Sequence, residues 1–123
     1  MKLHLTGAAG LNMFTAYGDD YVAVNNRRIG RSVVVLPDRL IEDWPAPGVD
    51  ALAAEHLAPL AGLGLEIVLL GTGRRLRFPR PEVTRPLIEA GIGFEVMDLQ
   101  AACRTYNILV SEERKVAAAL LFD

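Results

Sequence analysis

Few side chains in this 123-residue chain are of types and spacings that carry chemistry, and the densest group surrounds Gly71-Thr72-Gly73. From Arg74 to Arg85 five arginines (Arg74, Arg75, Arg77, Arg80, Arg85) stand against one carboxylate, Glu82. A strand that ends in Gly-Thr-Gly can present backbone N–H groups to an anion, and adjacent guanidinium groups would supply the countercharge. The dinucleotide fingerprint requires a third glycine and an immediate helix, and the nucleotide-hydrolase phosphate loop requires Lys-Ser/Thr; neither follows here. Two readings remain open: a small-anion site at Gly71, Thr72, Gly73 and Arg74, or a tight strand exit whose glycines serve backbone geometry and whose arginines are a solvated loop.

A second group lies between Asp98 and Glu112. Gln100, Arg104, Asn107 and Ser111 share a narrow stripe at helical spacing, which is either a solvated face or a set of ligand or partner contacts. Arg104 and Asn107 are the candidates for countercharge and directional hydrogen bonds, with Tyr106 as a secondary candidate whose hydroxyl seeks one polar partner. Asp98 has a sufficient role as a helix N-cap. Glu112 opposes the helix dipole at the far end, which makes it of more interest than an average surface acid. Cys103 falls on the apolar face of the same helix with no histidine near it in sequence, so it reads as a small packed hydrophobe rather than a nucleophile. His4 and His56 have no His or Cys at ligand spacing; no metal site and no cofactor are expected.

The elements that must position these groups are read from pattern and punctuation. Phe14 to Tyr17, Tyr21 to Val24 and Ser32 to Leu36, separated by turn signals at Gly18-Asp19-Asp20 and Asn25-Asn26, predict a β-meander closed by Pro37-Asp38. Trp44 to Gly48 is a loop. Asp50 is the expected N-cap of a helix from Ala51 to about Leu60. Glu66 to Leu70 predicts a strand covered on both faces. A helix follows over about Glu82 to Ala90, with Pro86 confined to its first turn and Gly91 as its stop. Phe94 to Met97 is a strand, Leu99 to about Glu112 a helix, and Val116 to Phe122 a last strand, although its three alanines also permit helix. The fold class is α/β: a single three-layer domain over residues 1–123, with an N-terminal β-meander beside a central mixed sheet and about three helices.

Composition sets the outer limits. Apolar residues make up 51% and charged residues 23%, which excludes a disordered chain. A net charge of −2 gives no overall field toward nucleic acid, and no nucleic-acid partner is expected. One cysteine fits a reducing compartment, the start carries no recognisable import signal, and no apolar run approaches bilayer-spanning length, so a cytoplasmic protein without direct membrane insertion is expected.

Glu66 to Gly73, Gly91-Ile92-Gly93, Glu95 to Asp98, Ala101-Ala102-Cys103-Arg104-Thr105-Tyr106-Asn107-Ile108-Leu109 and Glu112 to Leu121 together resemble the domain-of-unknown-function family 498. That family includes uncharacterised bacterial and archaeal proteins, the adipogenesis-associated domain protein and mitochondrial complex I assembly factor 3. The resemblance implies the three-layer fold, no established activity or cofactor, and, from the mitochondrial members, binding to subunits of a respiratory complex during assembly. Two departures matter: Leu99 stands where Thr is frequent after the Asp, and Glu113 replaces the usual Gly before Arg114. The leading expectation is a noncatalytic interaction or assembly domain whose partner is another protein or a membrane-complex subunit. The alternative is a small enzyme or sensor that binds an anionic metabolite at the Gly-Thr-Gly loop.

Overall fold

The computed structural model describes residues 10–122. Strands β1 (Phe14–Tyr17), β2 (Val22–Val24) and β3 (Arg27–Ile29) form a three-stranded antiparallel sheet. Asn25 and Asn26 join β2 to β3 with φ of 49° and 71°, the two-residue turn whose twist matches that of the flanking strands. The meander ends at Ile29, so the expectation that Ser32 to Leu36 belongs to it is corrected. Strand β4 (Val33–Leu36) lies in a second, five-stranded sheet. Its four consecutive apolar side chains need cover on both faces, with Val33 and Val35 in one core cluster and Val34 and Leu36 in the other. Pro37-Asp38 does not close the β-region but turns the chain into β5 (Arg39–Ile41), a three-residue edge strand too short and too polar to show a periodic signal.

The five-stranded sheet has the order β5-β4-β8-β6-β7 and is completed by β6 (Ile67–Gly71), β7 (Gly93–Met97) and β8 (Val116–Leu120). β8 pairs antiparallel with β4 and parallel with β6, while β6 pairs parallel with β7. This settles the alanine-rich segment as the central strand, each of its five residues 0% exposed. Val116, Ala118 and Leu120 point to the layer that holds β1–β3 and the long helix; Ala117 and Ala119 point to the layer of short helices. The small side chains let both layers approach the middle of the sheet.

On the second face, α1 (Ala54–Leu57) runs into a 3-10 turn at Ala58–Gly62. The expected Ala51–Leu60 helix with an Asp50 cap is therefore corrected: helix starts only after Ala53, and Pro59 has no N–H with which to continue the α pattern. Asp50 pairs instead with Arg77 at 3.3 Å. His56 Nδ1 accepts from the Ala53 N–H at 2.9 Å, and its carbonyl accepts from Trp44 Nε1 at 2.9 Å, so this histidine closes the helix start. A 3-10 turn at Pro81–Thr84 leads into α2 (Arg85–Glu89), with Pro86 in the first turn and Gly91 after the last, as the sequence predicts. Helix α3 (Leu99–Ser111) is capped by Asp98, whose carboxylate accepts from the Ala101 N–H at 2.9 Å, and buries Leu99, Ala102, Cys103, Tyr106 and Val110.

Candidate functional site

The Gly-Thr-Gly segment leaves the C-terminal end of β6, where open α/β sheets collect ligands, but its polar groups are largely committed to the fold. The Thr72 N–H donates to the Met97 carbonyl at 2.9 Å, and the Gly71 and Gly73 carbonyls accept from the Leu121 and Leu99 N–H groups, both at 2.8 Å. Thr72 is fully buried; its hydroxyl donates to the Arg75 carbonyl at 2.6 Å and accepts from the Arg77 N–H at 3.2 Å, which pins the start of the arginine loop. Gly71 answers to packing: a Cβ there would stand 2.7 Å from Leu120 Cδ2 and 3.2 Å from Ala102 Cβ. Gly73, at φ +87°, turns the chain in a conformation that side chains other than glycine rarely adopt.

The polar residues of α3 clamp the first strand. Asn107 Oδ1 accepts from the Phe14 N–H and its Nδ2 donates to the Phe14 carbonyl, both at 2.9 Å, so this side chain imitates a strand neighbour. The Tyr106 hydroxyl donates to the Asn12 carbonyl at 2.9 Å, and its ring meets Phe14 edge-on with centroids 5.0 Å apart. Arg104 Nη1 donates to the Tyr17 hydroxyl at 3.0 Å. Burial, and then the Asp38 charge, push the Tyr106 hydroxyl well above its usual pKa. Burial does the same to the Cys103 thiol, which keeps it protonated and inert toward electrophiles at neutral pH.

The candidate residues thus fall into three places. Gly73, Arg74 and Asp98 share a cavity of about 130 Å³ at the strand ends, with Asp19 on its wall. That volume is below the range of small-molecule pockets, and its two carboxylates oppose an anion. Arg104, Tyr106 and Asn107 face β1 and do not line that cavity. Glu112 follows the last turn of α3, about 20 Å from Asp98 by helix rise. Among the described residues no group of three or more His, Cys, Asp and Glu is placed to hold a metal ion, and His4 lies outside those residues.

Sequence reasoning missed a larger groove, about 430 Å³, at the opposite end of the sheet. Leu36, Leu63, Leu65 and Val110 contribute to its apolar lining, and Arg39 and Lys115 are among its charged residues. These residues come from three separate parts of the chain, so no local pattern marks them. A second omission is the apolar pair Leu76 and Phe78, 51% and 74% exposed within the arginine loop. The alternation Arg75-Leu76-Arg77-Phe78 was a visible signal for it.

Fold and site together define a mixed-sheet α/β protein whose signature helix is spent on holding its own first strand. The chain belongs to the family described as "Protein of unknown function (DUF498/DUF598)", which matches residues 14–121. It is 44% identical to a Bordetella parapertussis protein of known crystal structure, with a TM-score of 0.86 over 95% of this chain and 100% of that one. A Bordetella pertussis protein described as a Mth938-like domain is 38% identical, with a TM-score of 0.80 over 98% of this chain and 92% of that one. The human "NADH dehydrogenase [ubiquinone] 1 alpha subcomplex assembly factor 3" is 40% identical over 116 residues, 93% of this chain and 62% of that protein. The chain therefore spans less than two-thirds of the assembly factor's length. No helix among the described residues is long and apolar enough to cross a membrane.

Proposed function

We propose that this chain is a noncatalytic interaction domain of the assembly type, which binds subunits of a respiratory membrane complex from the cytoplasmic side. The observation that carries this reading is the 40% identity to the human assembly factor across 93% of the chain. The site geometry agrees with it. Arg104, Tyr106 and Asn107 are absorbed in holding β1, and Thr72 in shaping the arginine loop, so function rests on surface rather than on a reactive centre. The alternative of an anionic metabolite at Gly71, Thr72, Gly73 and Arg74 has less support, because the adjoining cavity is small and carries two carboxylates.

The test is affinity capture with the full chain from solubilised native membranes, paired with native-gel quantification of the respiratory NADH dehydrogenase complex in cells that lack the protein. Enrichment of that complex's subunits and a lowered level of assembled complex are expected. Unchanged complex levels, with no subunit enriched over a control bait, would sink the proposal.

A further inference from the structure

The arginine loop is built to expose apolar side chains, and a loop free to collapse would not do so. Phe78 is 74% exposed and Leu76 51%, and Ile88, on the helix that follows, is 64% exposed. Their surroundings hold the loop in place. The Thr72 hydroxyl bonds both Arg75 and Arg77 backbone groups, Arg77 pairs with Asp50 at 3.3 Å, and Arg80 Nη2 donates to the Leu52 carbonyl at 3.2 Å. Pro79 and Pro81 stiffen the stretch beyond Phe78. Beside this apolar tip in the chain stand Arg75, Arg80 and Arg85, all exposed, against Glu82, which pairs with Arg80 at 3.4 Å. Outside Arg74 to Arg85 the chain holds eight Lys and Arg against fourteen Asp and Glu, so the excess of positive charge in this segment is local, with Arg27, Arg28 and Arg31 as a second, smaller exposed basic cluster.

We propose that the segment from Arg75 to Ile88 docks the protein on an anionic membrane surface, with Phe78 and Leu76 entering the headgroup layer and Arg75 and Arg85 pairing with lipid phosphates. The pairing of apolar tips with flanking cations is what an anionic interface recognises: apolar side chains partition into the acyl boundary, and basic ones gain from the surface potential. Single-stranded nucleic acid is less well matched, since it is held by successive stacking rings along a groove and this loop offers one ring on a protrusion. The surface is distinct from the large groove and does not depend on the assembly reading.

The purified full chain is mixed with phosphatidylcholine vesicles, with or without about a third of phosphatidylglycerol, at 0.1 M salt, and bound protein is measured by flotation. Binding is expected on the anionic vesicles and not on the neutral ones. Each arginine near an anionic surface contributes roughly fivefold to partitioning, so Arg75→Ala with Arg85→Ala should lower binding about 25-fold. Phe78→Ala should lower it several-fold without altering its salt dependence. All three positions are exposed, so thermal midpoints should match wild type and confirm that the variants fold. Equal binding to both vesicle types, or insensitivity to these substitutions, overturns the proposal. So does substitution-sensitive binding of a single-stranded oligonucleotide or an acidic peptide without binding to vesicles.

Discussion

Asn107→Ala separates a structural clamp from a ligand contact. The side chain bonds both the N–H and the carbonyl of Phe14, a residue 0% exposed and 93 positions away. Each buried backbone group left without a partner costs roughly 1–3 kcal/mol. Asn107 is itself half-buried, so water will reach the vacated position and hold the loss to the lower part of the combined range, about 2–3 kcal/mol. Unfolding entropy for 123 residues is on the order of 0.26 kcal/mol/K, so the midpoint should fall by about 8–12 °C. Urea unfolding should show a lower midpoint with an unchanged slope, and hydrogen exchange at the Phe14 amide should accelerate. Ser111→Ala, one turn further along α3 and exposed, serves as the control and should stay within about 0.5 kcal/mol of wild type. Asn107→Asp keeps an acceptor for the Phe14 N–H but sets a carboxylate against the Phe14 carbonyl, so at neutral pH it should be at least as damaging as alanine. A stability within about 0.5 kcal/mol of wild type for Asn107→Ala, with Phe14 exchange unchanged, would refute the clamp and return Asn107 to the list of ligand contacts.

Three further substitutions probe the same logic elsewhere. Gly71→Ala forces a Cβ to 2.7 Å from Leu120 Cδ2 and should cost about 1–3 kcal/mol in denaturant unfolding. Glu113, at φ +62°, stands just past the end of α3 where its N–H bonds the Val110 carbonyl and the Arg114 N–H bonds the Leu109 carbonyl, so Glu113→Gly should relieve backbone strain and raise stability by about 0.5–1 kcal/mol. The backbone N–H of Lys115, and then the Arg114 guanidinium, hold the Glu66 carboxyl below its ordinary pKa of 4.5. A carboxylate with a depressed folded-state pKa adds stability above its unfolded pKa and loses it as pH falls through the folded one. Wild type should therefore exceed Glu66→Gln in thermal midpoint at neutral pH, and the gap should close as pH drops below about 4.5; a constant gap across that window would contradict this assignment.

How far the sequence could be read depended on how local each signal is. The Asp98 cap, the buried run of β6, the Pro86 and Gly91 limits of α2 and the apolar face of α3 all stand within a few residues of the structure they specify. The positive φ at Glu113 was signalled only by the resemblance, in which Gly is usual before Arg114; a glutamate carries no local mark of that backbone. The start of α1 was not legible, since Asp50 is an adequate cap by type, whereas the helix begins after Ala53, whose N–H is taken by His56 Nδ1.

The amino-acid sequence by itself determined that this chain forms an α/β fold with a mixed sheet and a long amphipathic α3, because periodicity and capping act over a turn or two. Only the tertiary structure decided that β4 leaves the meander for the larger sheet and that Arg104, Tyr106 and Asn107 serve β1. A polar stripe on a helix has the same spacing whether it meets water, a ligand or a strand edge. What it meets is set by chain packed against it from a remote part of the sequence.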